Sequence, residues 1–129
     1  PDNPGATIRC ALESLALLYR RTLRELEALL GAKIKRLHIV GGGSRNSLLN
    51  QFTASALAIP VHAGPIEATA LGNVAVQAIA LGHLPSIQAA REIIRSSSEI
   101  RIFHPRDVSD WNEQAVHFEA LYSTDSQAS

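Results

Sequence analysis

Three consecutive glycines, Gly41-Gly42-Gly43, stand between a short apolar run, Leu37-His38-Ile39-Val40, and a segment whose apolar residues recur at helical spacing. Glycine in the interior of a strand or helix costs stability, and three together leave a stretch of bare backbone free to adopt positive φ. The run therefore reads as a turn that carries the chain from a strand into a helix. That order, strand then turn then helix, restricts the fold to layered α/β arrangements. Bare backbone at a helix start suits an anion resting on N–H groups, and it equally suits a tight turn. Two well-known phosphate-binding patterns fail here. A GxGxxG fingerprint would need glycine at Asn46, and a phosphate-binding loop would need Gly-Lys-Ser/Thr where Ser44-Arg45-Asn46 stands.

The rest of the chain supports alternating helices and short strands. From Ala6 to Leu30 the residues Ile8, Ala11, Leu12, Leu15, Leu18, Thr22, Leu26 and Leu29 recur at three-and-four spacing, which predicts a long amphipathic helix stopped by Gly31. Arg20, Arg21, Arg24, Glu25 and Glu27 read as its solvated face. A second helix begins near Ser44 or Asn46 with Leu48, Leu49, Phe52 and Ala56 inward, and ends before Pro60. Pro60 to Ala63 is extended, and a third helix rich in Ala and Gly runs from Glu67 to Leu81, stopped by Gly82. Ser86 caps a fourth helix to about Arg95, Glu99 to Phe103 is an extended return, and Asp110 to Tyr122 is a last helix with Trp111, Ala115, Phe118 and Tyr122 inward. Two confident strands are few for a sheet, so the remainder is expected outside this chain.

Composition narrows the function. Twelve Lys and Arg balance twelve Asp and Glu, so no net field draws the chain to nucleic acid or an acidic membrane. With 46% hydrophobic and 19% charged residues it is globular rather than disordered. No apolar run reaches membrane-spanning length, which predicts a cytoplasmic protein. The single Cys10 cannot form an internal disulfide and is expected to pack as a small hydrophobe on the first helix. His38 and His62 are expected in strands as hydrogen-bonded residues, and His83, His104 and His117 are too scattered for a metal site. The chain starts at Pro1 and holds no methionine, which points to part of a longer protein.

Together, LESLALLYR (12–20), LHIVGGGSRNSLLNQ (37–51) and PVHAGPIEATALGN (60–73) resemble the C-terminal part of the FGGY carbohydrate kinases. The resemblance implies a partial actin-like ATPase, or ribonuclease H-like, α/β fold, with helices packed on a short parallel sheet that lacks its early strands. Residues 1–129 would form the C-terminal part of the nucleotide-binding domain: a long helix (6–30), a glycine-turn core (37–82) and C-terminal helices (85–122). It implies that Gly41, Gly42 and Gly43 contact ATP, Gly42 foremost, with Ser44, Asn46 and Asn50 near the adenine or ribose. Arg45 would point to solvent, and Glu67, Thr69 and Gly72 would shape the pocket wall.

The same resemblance gives the intact enzyme ATP and Mg2+ as cofactors. Its partners would be a sugar substrate and the N-terminal domain of the same kinase. By the same resemblance the sugar would be L-rhamnulose, with xylulose, fuculose or glycerol as the alternative, since no residue here reads it. Phosphoryl transfer needs a positioned base, and Asp2, Asp107, Asp110 and Asp125 stand in no matching context, so the chain alone is expected to be inactive. A different reading is a non-catalytic assembly module, whose open sheet edge and apolar helix faces lead to self-association.

Overall fold

The computed structural model describes residues 3–125, with side chains as far as Leu121. Asp2 and the side chains of Tyr122 and Asp125 lie outside the described residues. The elements are α1 (Pro4–Leu30), β1 (Leu37–Ile39), a 3-10 turn (Gly41–Arg45), α2 (Ser47–Leu57), β2 (Val61–Ala63), α3 (Ala68–Ala80), α4 (Ile87–Ser97), β3 (Arg101–Phe103) and α5 (Val108–Asp125).

Local signals explain most of the boundaries. The Asn3 side chain accepts the Ala6 N–H at 2.8 Å and Pro4 occupies the first turn, so α1 starts two residues before the expected Ala6. It stops at Gly31, which takes the left-handed conformation at φ 64°. Ser86 caps α4 by accepting the Ala89 N–H at 3.2 Å.

The core is built around α2. Ala16, Leu23, Phe52, Ala56 and Leu57 form one buried cluster, against which Leu12, Ile34, Leu37, Ile59 and Trp111 pack. Phe52 and Trp111 meet with ring centroids 5.4 Å apart, joining α2 to α5. Along α2 small Ala54 and Ala56 are fully buried, which lets α1 and the sheet approach it closely.

The inward face of α1 differs from the expected stripe. Ala16, Leu17 and Leu23 are buried, whereas Ile8 is 61% and Leu29 85% exposed, because only the middle of this long helix crosses α2 and its ends overhang. Leu48 likewise turns outward from α2. Cys10 is exposed and not packed as a hydrophobe. Arg20 also departs from a purely solvated role. Its guanidinium donates to the Ala56 carbonyl at 2.9 Å and to Asn112 Oδ1 at 2.8 Å, tying α1 to α2 and α5.

Three strands form one sheet in the order β1-β2-β3. β1 and β2 are parallel, with His38 opposite His62, and α2 is the crossover such a pair requires. The expected extended return is a true strand, but β3 runs antiparallel to β2, so the sheet is mixed rather than parallel. Nor is β1 a buried strand: its His38 is exposed while Leu37 and Ile39 are half-buried. No helix among the described residues is long and apolar enough to cross a membrane.

Candidate functional site

Gly41, Gly42 and Gly43 do not lie on the N-terminus of α2. They wind into a separate 3-10 turn, and α2 begins only at Ser47, with Asn46 as its cap. Gly41 is glycine for conformational reasons, at φ 74°, and its N–H donates to the Pro65 carbonyl at 3.0 Å. Gly43 lies in ordinary contact distance of the Ile39 side chain, 3.7 Å from an added Cβ. Gly42 is different. Its φ is not left-handed, it is exposed, and a Cβ built on it would meet nothing within 4 Å. Neither backbone conformation nor packing within this chain requires glycine there.

The residues behind the turn hold its shape. Ser44 is buried, and its hydroxyl donates to the Gly41 carbonyl at 2.7 Å, closing the turn on itself. Its own carbonyl accepts two donors, Asn50 Nδ2 at 2.9 Å and Arg101 Nη2 at 2.8 Å. Asn50 is 0% exposed, and its Oδ1 is a buried acceptor with no protein donor. Ser44 and Asn50, expected beside adenine or ribose, therefore face into the protein here. The Ser44 hydroxyl and the Asn50 amide nitrogen are given to the turn's own backbone. Asn46 is exposed; its Oδ1 accepts the Leu49 N–H at 3.0 Å, and its amide nitrogen is a further donor on this exposed residue.

β2 delivers the second wall. Gly64 N–H donates to the Ile39 carbonyl at 2.8 Å, so the Gly64-Pro65 segment lies directly against the glycine turn. Gly64 has φ 123°, and a Cβ there would sit 2.5 Å from the Glu99 carbonyl oxygen. Between these segments lies a small cleft of about 150 Å3 lined by Ser44, Ala63, Ile66, Glu99 and Arg101. Glu67 precedes α3 without a side-chain cap, and Glu67 and Thr69 are exposed while Gly72 is half-buried. α3 buries no residue, and Val74, Val76 and Leu81 point to solvent. Arg45 is exposed as expected.

Arg101 is the residue that sequence reasoning missed. It reaches the turn from a strand 57 positions away, and no local pattern marks it. Among the described residues no three carboxylate, imidazole or thiolate groups converge to hold a metal ion. The described residues of this chain therefore do not make a Mg2+ site by themselves.

Strand, glycine turn, buried helix and a second strand form one continuous α/β unit. The model of the FGGY family of carbohydrate kinases, C-terminal domain, matches residues 1–81. The chain belongs to the FGGY family of carbohydrate kinases. Rhamnulokinase of Bacteroides thetaiotaomicron is 48% identical over 118 residues, which cover 92% of this chain and 24% of that protein. Rhamnulokinase of Bacillus subtilis is 42% identical over 108 residues, 84% of this chain and 22% of its own length. The chain thus spans roughly a quarter of the length of these relatives. The crystal structure of xylulose kinase from Rhodospirillum rubrum superposes with a TM-score of 0.62 at 24% identity, covering 88% of this chain and 23% of that one. The shared fold is the actin-like ATPase fold.

Proposed function

We propose that the glycine turn forms the adenosine side of an ATP site in a rhamnulokinase-like sugar kinase. The observation that carries this reading is Gly42: an exposed residue without a side chain where the fold itself makes no demand for glycine. A ligand that rests on the backbone makes that demand. Gly41 and Gly43 flank the contact, and the amide of exposed Asn46 can hydrogen-bond a ribose or adenine edge. Ser44 and Asn50 serve the site from behind by fixing the turn.

In the intact enzyme the γ-phosphate of ATP would pass to a hydroxyl of L-rhamnulose, the sugar in keeping with the rhamnulokinase relatives. Mg2+ would neutralise the phosphates when bound. The catalytic base and the sugar pocket would come from the N-terminal domain of the same kinase. This chain's part is to bind and orient the nucleoside and to exclude water from one side of the cleft. By itself it transfers nothing, and its setting is the cytoplasm.

Titration of the chain with ATP and with adenosine, followed through backbone amide shifts, tests the proposal. The expected result is saturable shifts clustered at Gly41 to Asn46, similar for both ligands, with Kd on the order of 1 mM, about −4 kcal/mol. Glycine amides that stay still to tens of millimolar, about the limit of a −3 kcal/mol site, would overturn it.

Self-association is a second reading, carried by the exposed apolar positions of α1 and α3, Ile8, Leu26, Leu29, Val74, Val76 and Leu81. It expects a mass that rises with concentration in analytical ultracentrifugation; a constant monomer mass excludes it.

A further inference from the structure

The matched family region ends at residue 81, and Arg101 lies beyond it. The guanidinium nevertheless grips the glycine turn at two points. Nη2 donates to the Ser44 carbonyl at 2.8 Å and Nη1 to Ser47 Oγ at 2.8 Å. These acceptors sit on either side of the joint between the 3-10 turn and α2. A planar guanidinium with parallel donors can bridge two such oxygens, whereas a lysine ammonium meets them only as a point charge. From the opposite side Asn50 Nδ2 donates to the same Ser44 carbonyl, and Asn50 is fully buried in α2. One carbonyl oxygen therefore receives a donor from the helix and a donor from the returning strand. Phe103, on the same strand, supports the guanidinium face at 5.8 Å.

The turn needs such a brace. Gly41 to Gly43 contribute no side chains of their own, and unbraced glycine backbone populates many conformations of which one presents Gly42 outward. Resting on the nucleotide reading above, we infer that Arg101 is a positioning residue, which with Asn50 fixes the Ser44 carbonyl and so sets the glycine turn in its binding conformation before ATP arrives. Its guanidinium acts through the Ser44 carbonyl and Ser47 Oγ. Its effect is to remove from the binding step the cost of ordering the turn.

The test uses the whole chain with Arg101→Met, which keeps a long apolar stem and loses all donors, and Arg101→Lys, which keeps the charge. Two readouts are followed: the ATP titration at the Gly41 to Asn46 amides, and hydrogen exchange of the Gly41 and Asn46 amides in the free protein. These two N–H groups bond to Pro65 and Gly43 carbonyls and report the turn directly. Arg101→Met is expected to raise the ATP Kd about tenfold and to speed exchange at both amides by a similar factor, as loss of a charged hydrogen bond would. Exchange at the buried Leu17 and Leu23 amides of α1 should stay as in the parent. Arg101→Lys is expected to restore only part of either effect.

Unchanged ATP affinity in Arg101→Met with a responsive parent overturns the inference, as does faster exchange spread evenly over α1, which would mark mere loss of stability. If the parent chain itself does not respond to ATP, the nucleotide reading fails, and free-state exchange then decides the role of Arg101 alone: unchanged rates at Gly41 and Asn46 overturn it.

Discussion

His38 and His62 face one another across the parallel strands, their ring centroids 5.0 Å apart and tilted by 42°. They occupy opposed positions in the register, so the contact is fixed by strand pairing and not by a chance rotamer.

The partial burial of His62, with His38 beside it, makes stability depend on pH. Partial burial, followed by the charges of His38, Arg36 and His104, holds His62 below its ordinary value of 6.5. The unfolded chain then binds more protons between the depressed folded value and 6.5, so stability rises with pH through that window and levels off above it. His62→Gln should flatten this part of the profile. Thermal unfolding of both proteins between about pH 5 and 7 checks it, and parallel profiles would refute the assignment.

Two glycines should respond in opposite ways to one added methyl. Gly64→Ala places a Cβ 2.5 Å from the Glu99 carbonyl at φ 123°, and is expected to cost about 2–4 kcal/mol in urea denaturation. Gly42→Ala meets nothing, so its stability should stay within about 0.5 kcal/mol of the parent. The ATP response of Gly42→Ala should nonetheless weaken or vanish. An alanine variant that binds as well as the parent would mean that no ligand approaches this backbone closely.

Arg20 joins three helices through the Ala56 carbonyl and Asn112 Oδ1. Arg20→Met is expected to lose about 1–2 kcal/mol, and Asn112→Ala less, because it leaves the Ala56 bond in place. Chemical denaturation of the two single variants and the double variant separates the contributions; fully additive losses would show that the two side chains do not act together.

Glu27 pins the segment after α1, accepting Lys33 Nζ at 2.6 Å and the Ile34 N–H at 2.8 Å. The Lys33 hydrogen bond first, and the Ile34 bond next, hold its carboxyl below the usual 4.5. The folded form thus favours the carboxylate, giving stability that is present above 4.5 and lost as pH falls through the depressed folded value. Glu27→Gln should remove that acid-limb contribution. Melting temperatures of parent and variant that keep a constant offset from about pH 3 to 6 would argue against it.

Most of the element order was legible in local chemistry. Gly31, Gly41–Gly43, Pro60, Gly64-Pro65, Gly82 and Ser86 each mark a stop, turn or cap by a conformational rule that acts over a few residues. What escaped is what depends on distance. Helical spacing marked α1 as amphipathic but could not tell that Ala16, Leu17 and Leu23, and not Ile8 and Leu29, lie where α2 crosses. The direction of β3 is set by how the chain returns over α4, and no pattern in Arg101-Ile102-Phe103 encodes it. In the candidate site the glycines were legible by composition, while Ser44 and Asn50 look like surface polar residues until the fold folds them under the turn. Arg101 was beyond reach for the same reason, since its partners are brought near only by the finished sheet.

The antiparallel seating of β3 on β2 also bears on where this α/β unit stops. The family model stops at residue 81, but the architecture does not, and neither does the likeness to the Bacteroides rhamnulokinase, which covers 92% of the chain: the edge of β2 is sealed by residues 101–103, and Trp111 lies against Phe52. A polypeptide ended at residue 81 would keep the glycine turn and yet expose a raw strand edge and an uncovered Phe52, surfaces that invite association. The less conspicuous tail is the part that covers the core behind the conspicuous motif.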